Sequence, residues 1–302
     1  MSIRNRLLPG VVWVGIGLVW GTTWGVIRIG LRDLEPLTFA ASRTVLAAVT
    51  LLAMAQIVDG SRRPKRREVW FWMAIGVPQI AVPYALIFWA EQYISSGLTA
   101  ILFATFPAFT TVAAHFLLRD ERLSLWKAGG TALALVSVVL LVGPTRGAMP
   151  PPPIAAVAAV LVASVASAVG AVTVRRHGRE TSTLWLTALQ VSSAAVLLGA
   201  LAVTLERDAS MTLTAAAIGS IVYLALAVTV GCYLGLFWLL KRLEATFVSM
   251  GVIFETAVGV FFGSVALSEP LGWRLLGGLS VMGLSIYLVT VRRRGVTAVV
   301  PS

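Results

Sequence analysis

Charge is scarce in this sequence. Only 12% of its 302 residues are Asp, Glu, Lys or Arg, about half the share that a soluble domain uses to cover its surface. That shortage excludes a chain whose outside faces water. Cysteine is scarcer still. The single Cys232 excludes an internal disulfide framework, a multi-cysteine zinc site and a CxxC redox pair. Its place in an apolar run reads as a small buried hydrophobe. With two histidines, His115 and His177, no metal centre is expected, and no cofactor. The sequence also lacks a Walker A loop, HExxH, GxSxG and the grouped acids of a metal-dependent transferase. ATP drive is therefore not encoded here. No catalytic residue is assigned, and the chain does not read as an enzyme.

Apolar length is plentiful. Hydrophobic residues make up 58% of the chain, and the mean hydropathy is +0.89. A helix crosses the hydrocarbon with about 20 apolar residues. Ten such segments are expected, over 11–30, 36–58, 69–90, 95–118, 125–143, 154–174, 184–205, 213–239, 245–267 and 273–291. Their connections are too short for a soluble domain. Arg4 and Arg6 ahead of the first apolar run resemble a signal peptide. Residues 7–27 are long enough to span, and no small-residue cleavage site follows, so the segment is read as retained.

The net charge of +11 lies in short clusters between apolar runs. That pattern fits the positive-inside rule and not a nucleic-acid surface, so no nucleic-acid partner is expected. With the N-terminus inside, eighteen lysines and arginines fall on cytoplasmic segments and five on the other side. Both termini are therefore expected in the cytoplasm of a multi-pass plasma-membrane (cell inner membrane) protein. The bilayer is its solvent.

Proline-rich 150–153 cannot continue a helix and falls where two halves would join, 1–148 and 149–302. The fourth and fifth predicted spans match the ninth and tenth at an offset of 148. Phe106 pairs with Phe254, Glu121 with Glu269, Leu123 with Leu271, Gly129-Gly130 with Gly277-Gly278, and Ser137 with Ser285. In the second and seventh spans Arg43 stands opposite Gln190. Five spans per half force the second half to run opposite to the first. The fold class expected is all-α integral membrane, with ten transmembrane helices as two inverted five-helix repeats. Such an arrangement places substrate near the midplane between the halves.

Several motifs carry a family resemblance. The stretch with Ala104-Thr-Phe-Pro107, Leu118-Arg-Asp-Glu121-Arg-Leu123 and Gly129-Gly130 resembles the EamA module of the drug/metabolite transporter superfamily. So does Ile253-Phe-Glu255 through Leu267-Ser-Glu269-Pro-Leu271 to Gly277-Gly278. Trp20-Gly21-Thr-Thr-Trp24-Gly25 and Arg43 are similar to the same family. The second half departs by placing Glu255 where the first half has Pro107. The resemblance implies ten helices in two EamA-like repeats and transport of small metabolites, often efflux.

Glu255 is the sharpest candidate. About ten residues into its span, at 1.5 Å per residue, it lies roughly 15 Å deep. A carboxylate at that depth is costly unless paired, hydrated or protonated. It is expected to face the cavity and bind a cationic substrate group or a coupling proton, with a structural polar contact as the alternative. Arg43 is read as a structural or gating partner, with substrate contact or a pair with Glu255 as alternatives. Its counterpart Gln190 is expected on the same cavity. Pro78, Pro83 and Pro107 lie inside spans and are expected to kink them or expose backbone, with Gln79 and Tyr84 beside them. Trp20 and Trp24 share one face of the first span, as an aromatic wall or as packing. Gly17, Gly21 and Gly25 suit a close helix approach. Trp89, Trp238 and Tyr93 read as interfacial anchors. Glu91, Glu121 and Glu269 read as charges at span ends, and His115 as a span-end group with a proton relay as the alternative.

These residues favour a secondary transporter exporting amino acids, related metabolites or drugs through a midplane cavity. Its partners would be a small-molecule substrate and, if transport is coupled, protons. An uncoupled channel-like facilitator and a membrane-integral enzyme are the other readings. Substrate identity, import against export, coupling and oligomeric state stay open at this level.

Overall fold

The computed structural model describes residues 3–118, 152–207, 212–249, 251–268 and 272–291, with separate positions between 125 and 136. The fifth expected span lies largely outside the described residues. So do Glu121, Glu269, Ser137, Pro150, Pro151 and the terminal Arg292–Arg294. Among the described residues all regular structure is helical.

Seven helices are long and apolar enough to cross a membrane. They are α1 (Ile3–Gly30, with Leu8–Gly30 as its apolar span), α2 (Pro36–Asp59), α3 (Arg66–Ala90), α4 (Ser96–Leu117), α5 (Ile154–His177), α6 (Thr183–Leu205) and α7 (Ala215–Leu240). Three further helices follow: α8 (Ala245–Ser249), α9 (Val252–Leu267) and α10 (Trp273–Val291). Helices form here because lipid cannot satisfy backbone N–H and C=O groups. Large apolar side chains such as Ile57, Phe116, Val196 and Phe261 are exposed, as a lipid-facing surface requires.

Small residues set how closely helices approach. A Cβ on Gly21 would lie 2.4 Å from Val258 Cβ, and one on Gly25 would lie 2.2 Å from the Phe262 ring. The first-span glycines therefore seat α9 against α1, the close approach expected of them. The α2 helix packs along α6, and α5 packs against α3 and α4. The pairings come in matched sets: α1 lies on α9 as α5 lies on α4, and α1 on α7 as α5 on α3. The two sequence halves therefore interleave in space.

Two of the long helices contain wide π-helical turns. In α3 the turn is Val77–Ala81, and in α7 it is Leu224–Cys232. The fourth span is also interrupted, where Ala104 and Thr105 separate Ser96–Phe103 from Phe106–Leu117. The α8–α9 junction falls within two residues of the corresponding place in the second half. Pro107 opens the second segment of α4, where a missing N–H costs nothing. It stands inside the span, at the start of the segment that follows the interruption.

Candidate functional site

The interruptions and wide turns surround one cavity of about 90 Å³. Its walls are mostly aromatic. From α1 come Trp13, Trp20 and Trp24; from α3 Tyr84 and Phe88; from α4 Phe103 and Phe106; from α7 Tyr233. Neighbouring rings hold each other in place. Trp20 meets Tyr233 edge-on at 5.6 Å, Trp24 lies 5.4 Å from Phe103, and Phe103 stacks on Phe106 at 5.8 Å. Such contacts restrict the rotamers of the wall.

Three strongly polar side chains reach this cavity: Arg43, Gln79 and Glu255. Arg43 is almost wholly buried. Its Nη2 donates to Thr229 Oγ1 at 2.9 Å, to the Leu224 carbonyl at 3.1 Å and to Tyr84 Oη at 3.2 Å. The guanidinium also lies 4.3 Å above the Tyr84 ring. The wide turn of α7 makes this docking possible. Thr229 Oγ1 donates to Leu224 O five residues back at 2.8 Å, and the same carbonyl accepts from the arginine as well. Arg43 Nε has no hydrogen-bond partner among the described residues.

Gln79 sits on the π-helical turn of α3 and folds over Gly170 of α5. A Cβ at Gly170 would fall 1.6 Å from Gln79 Oε1. That oxygen has no hydrogen-bond partner among the described residues. Pro78 belongs to the same turn, and Pro83 lines the cavity.

Glu255 lies in the first turn of α9, only 6% exposed. Among the described residues no hydrogen bond or ion pair reaches its carboxylate, and none joins it to Arg43. The two charges share a cavity without being partners of each other.

Of the residues read from sequence, Trp20, Trp24, Arg43, Gln79, Pro83, Tyr84 and Glu255 meet at this cavity. Gln190 does not. It is fully buried on α6, with both amide atoms unpartnered among the described residues and its backbone against Gly76. The tight α3–α6 contact takes it away from the cavity. Pro78 and Pro107 shape the cavity's helices without lining it. His115 is exposed and rests on Phe116. Trp89 and Tyr93 are exposed and paired at 5.0 Å near one end of α3.

Sequence reading missed Tyr233, Phe88, Phe103, Phe106 and Trp13. A signal for two of them was present. Tyr84-x-x-x-Phe88-Trp89 recurs as Tyr233-x-x-x-Phe237-Trp238, 149 residues later. The same offset places both π-helical turns in register. Tyr84 and Tyr233 are therefore equivalent positions facing one space.

Helices of spanning length, interrupted around a buried polar and aromatic cavity, define a membrane transporter. The sequence profile of the EamA-like transporter family matches residues 8–143 and again 154–291. The chain belongs to that family. It is 23% identical over 285 residues to the uncharacterized transporter YoaV of Bacillus subtilis (strain 168), covering 94% of this chain and 97% of the relative. It is 28% identical over 294 residues to an uncharacterized transporter of Archaeoglobus fulgidus, covering 93% and 99%. A solved crystal structure superposes with a TM-score of 0.71 over 96% of this chain and 97% of its own, at 18% identity. That likeness concerns the fold alone.

Proposed function

We propose that this membrane transporter is a proton-coupled exporter of small metabolites such as amino acids or drugs, working by alternating access. One observation carries the reading: the Glu255 carboxylate reaches an aromatic cavity with no described partner. An unpaired carboxylate deep in a bilayer costs about 2.5–3.5 kcal/mol on insertion scales. A proton or a cationic substrate group each removes that cost. Because both use one carboxylate, only one binds at a time, and exclusive occupancy couples proton entry to substrate exit.

The cavity suits such ligands. Its rings can face an ammonium group or an apolar body. A zwitterion could place its ammonium at Glu255 and its carboxylate at the edge of Arg43. In this reading Arg43 also holds the wide turn of α7 against α2 and Tyr84, so it couples cavity contents to helix position. Matched interruptions in both halves favour ten spans as two inverted repeats, which rock about the cavity. The excess of lysine and arginine on one set of connections supports both termini in the cytoplasm.

The test is flux of labelled amino acids and small cationic drugs in proteoliposomes, with and without a pH gradient. Wild type should move at least one substrate uphill, and Glu255→Gln should lose gradient-driven movement while remaining folded. Gradient-independent flux that survives Glu255→Gln would refute the coupling and leave Glu255 a structural residue.

A further inference from the structure

A second depression, of about 610 Å³, opens on the face where α2 ends and α3 and α6 begin. Six cations line it: Arg62, Arg63, Lys65, Arg179, Lys241 and Arg242. Its carboxylates are Asp59, Glu68 and Glu180. Two of the three are already engaged. Asp59 accepts from the Ser182 hydroxyl, and Glu68 accepts from the Lys65 backbone N–H at 2.7 Å.

Some of the cations are held in place. Arg63 donates to Gln56 at 2.8 Å, and Lys241 donates to the Thr181 carbonyl. Arg242 donates to the Trp238 carbonyl at 3.1 Å and stacks 4.1 Å above its ring. Arg62 and Arg179 have no hydrogen bond or ion pair among the described residues. They come from opposite halves of the chain and meet at one depression. Burial first, and then the neighbouring Arg242, push the Lys241 amine down to about 8, with Asp59 opposing.

Height in the membrane narrows the ligand. Trp238 lines the depression, and an indole at a span end marks the headgroup region. Paired guanidinium groups are donors matched to phosphate oxygens. We propose that this depression binds a phosphate group, supplied by an anionic phospholipid headgroup, with Arg62 and Arg179 as its principal ligands. The bound phosphate ties the α2–α3 connection of the first half to the α5–α6 connection and the end of α7 in the second. A free soluble phosphate shares the chemistry and is separated from lipid by the test.

The test uses the full-length chain, delipidated in detergent. Retained lipid is counted by native mass spectrometry, and the unfolding midpoint is followed as phosphatidylglycerol or phosphatidylcholine is added. A parallel arm adds inorganic phosphate in phosphatidylcholine micelles. Wild type should retain phosphatidylglycerol about tenfold more tightly than phosphatidylcholine and show a raised midpoint with it alone. Arg62→Gln/Arg179→Gln should lose both effects. Arg66→Gln/Arg67→Gln removes the same charge from exposed neighbours outside the depression and should keep both. Equal loss in the two double variants would reduce the effect to diffuse attraction and overturn the site. A midpoint raised as much by inorganic phosphate would overturn the lipid as source. No preference in wild type would overturn the proposal without any variant.

Discussion

Arg43 and Glu255 are both charged, both buried and both on the same cavity, yet their surroundings differ. Arg43 is met by a hydroxyl from α7, a carbonyl from the wide turn of α7, and the hydroxyl and ring of Tyr84. Glu255 is met by none of these among the described residues. A buried charge surrounded by acceptors contributes to the fold, because removing it undoes several contacts. A buried charge left open costs the fold something and stays available to a ligand. The contrast separates a charge that holds neighbouring helices together from one that no described residue engages.

The largest effect should come from reversing that contrast. Arg43→Met removes three hydrogen bonds. A bond to a charged group contributes about 1.5–3 kcal/mol in soluble proteins and polar contacts contribute less in membranes, so a loss of about 2 kcal/mol is expected. Glu255→Gln should leave the unfolding midpoint unchanged or higher. Denaturation of both variants in one detergent checks the order, and a more damaging Glu255→Gln would dissolve the distinction.

Gly170→Ala should come next, at about 1–3 kcal/mol for overpacking, because the new methyl collides with Gln79. Transport should fall as Gln79 is displaced toward the cavity. Gly199→Ala, which meets nothing within 4 Å, should hold or slightly raise stability, since alanine suits a helix interior better than glycine, and should leave flux unchanged.

The smallest effect should appear away from the cavity, as a pH dependence at Lys241. Its amine falls from the ordinary 10.5 of lysine to about 8, through burial first and then the neighbouring Arg242, with Asp59 opposing. Arg62, Arg179, Glu68 and Glu180 line the same depression. Between about 8 and 10.5 the unfolded chain binds more protons than the folded one, so stability rises with pH across that window and is flat below it. The wild-type rise, measured against Lys241→Gln, should be greater by a small margin, since the side chain is only half-buried and screened. An equal slope in the variant would remove Lys241 as the cause.

Much of this site was legible beforehand, for a reason that depends on the solvent. In lipid a charge is conspicuous, so Glu255 and Arg43 could be singled out by depth alone. Trp20, Trp24, Gln79 and Tyr84 were picked out by similar reasoning and reach the same cavity. Gln190 shows where that reasoning ends. It is as polar and as deep as Gln79, but α6 packs so closely on α3 that its amide is sealed between helices. Phe103 and Trp13 carried no signal, because an aromatic facing a cavity and one facing lipid look alike in sequence, and Phe106 stood in the repeat without its cavity position being legible.

The sequence by itself determined that the chain spans a bilayer, that its motifs recur in two halves, and which charges stand within spans. Those properties follow from the cost of moving charge and unpaired backbone into hydrocarbon, which acts on each segment locally. Only the tertiary structure decided which charge is partnered. The acceptors of Arg43 lie 41 to 186 residues away along the chain. A wide turn in α7 presents one of them as a carbonyl. Contacts of that kind depend on how helices from both halves interleave, and no local pattern encodes it.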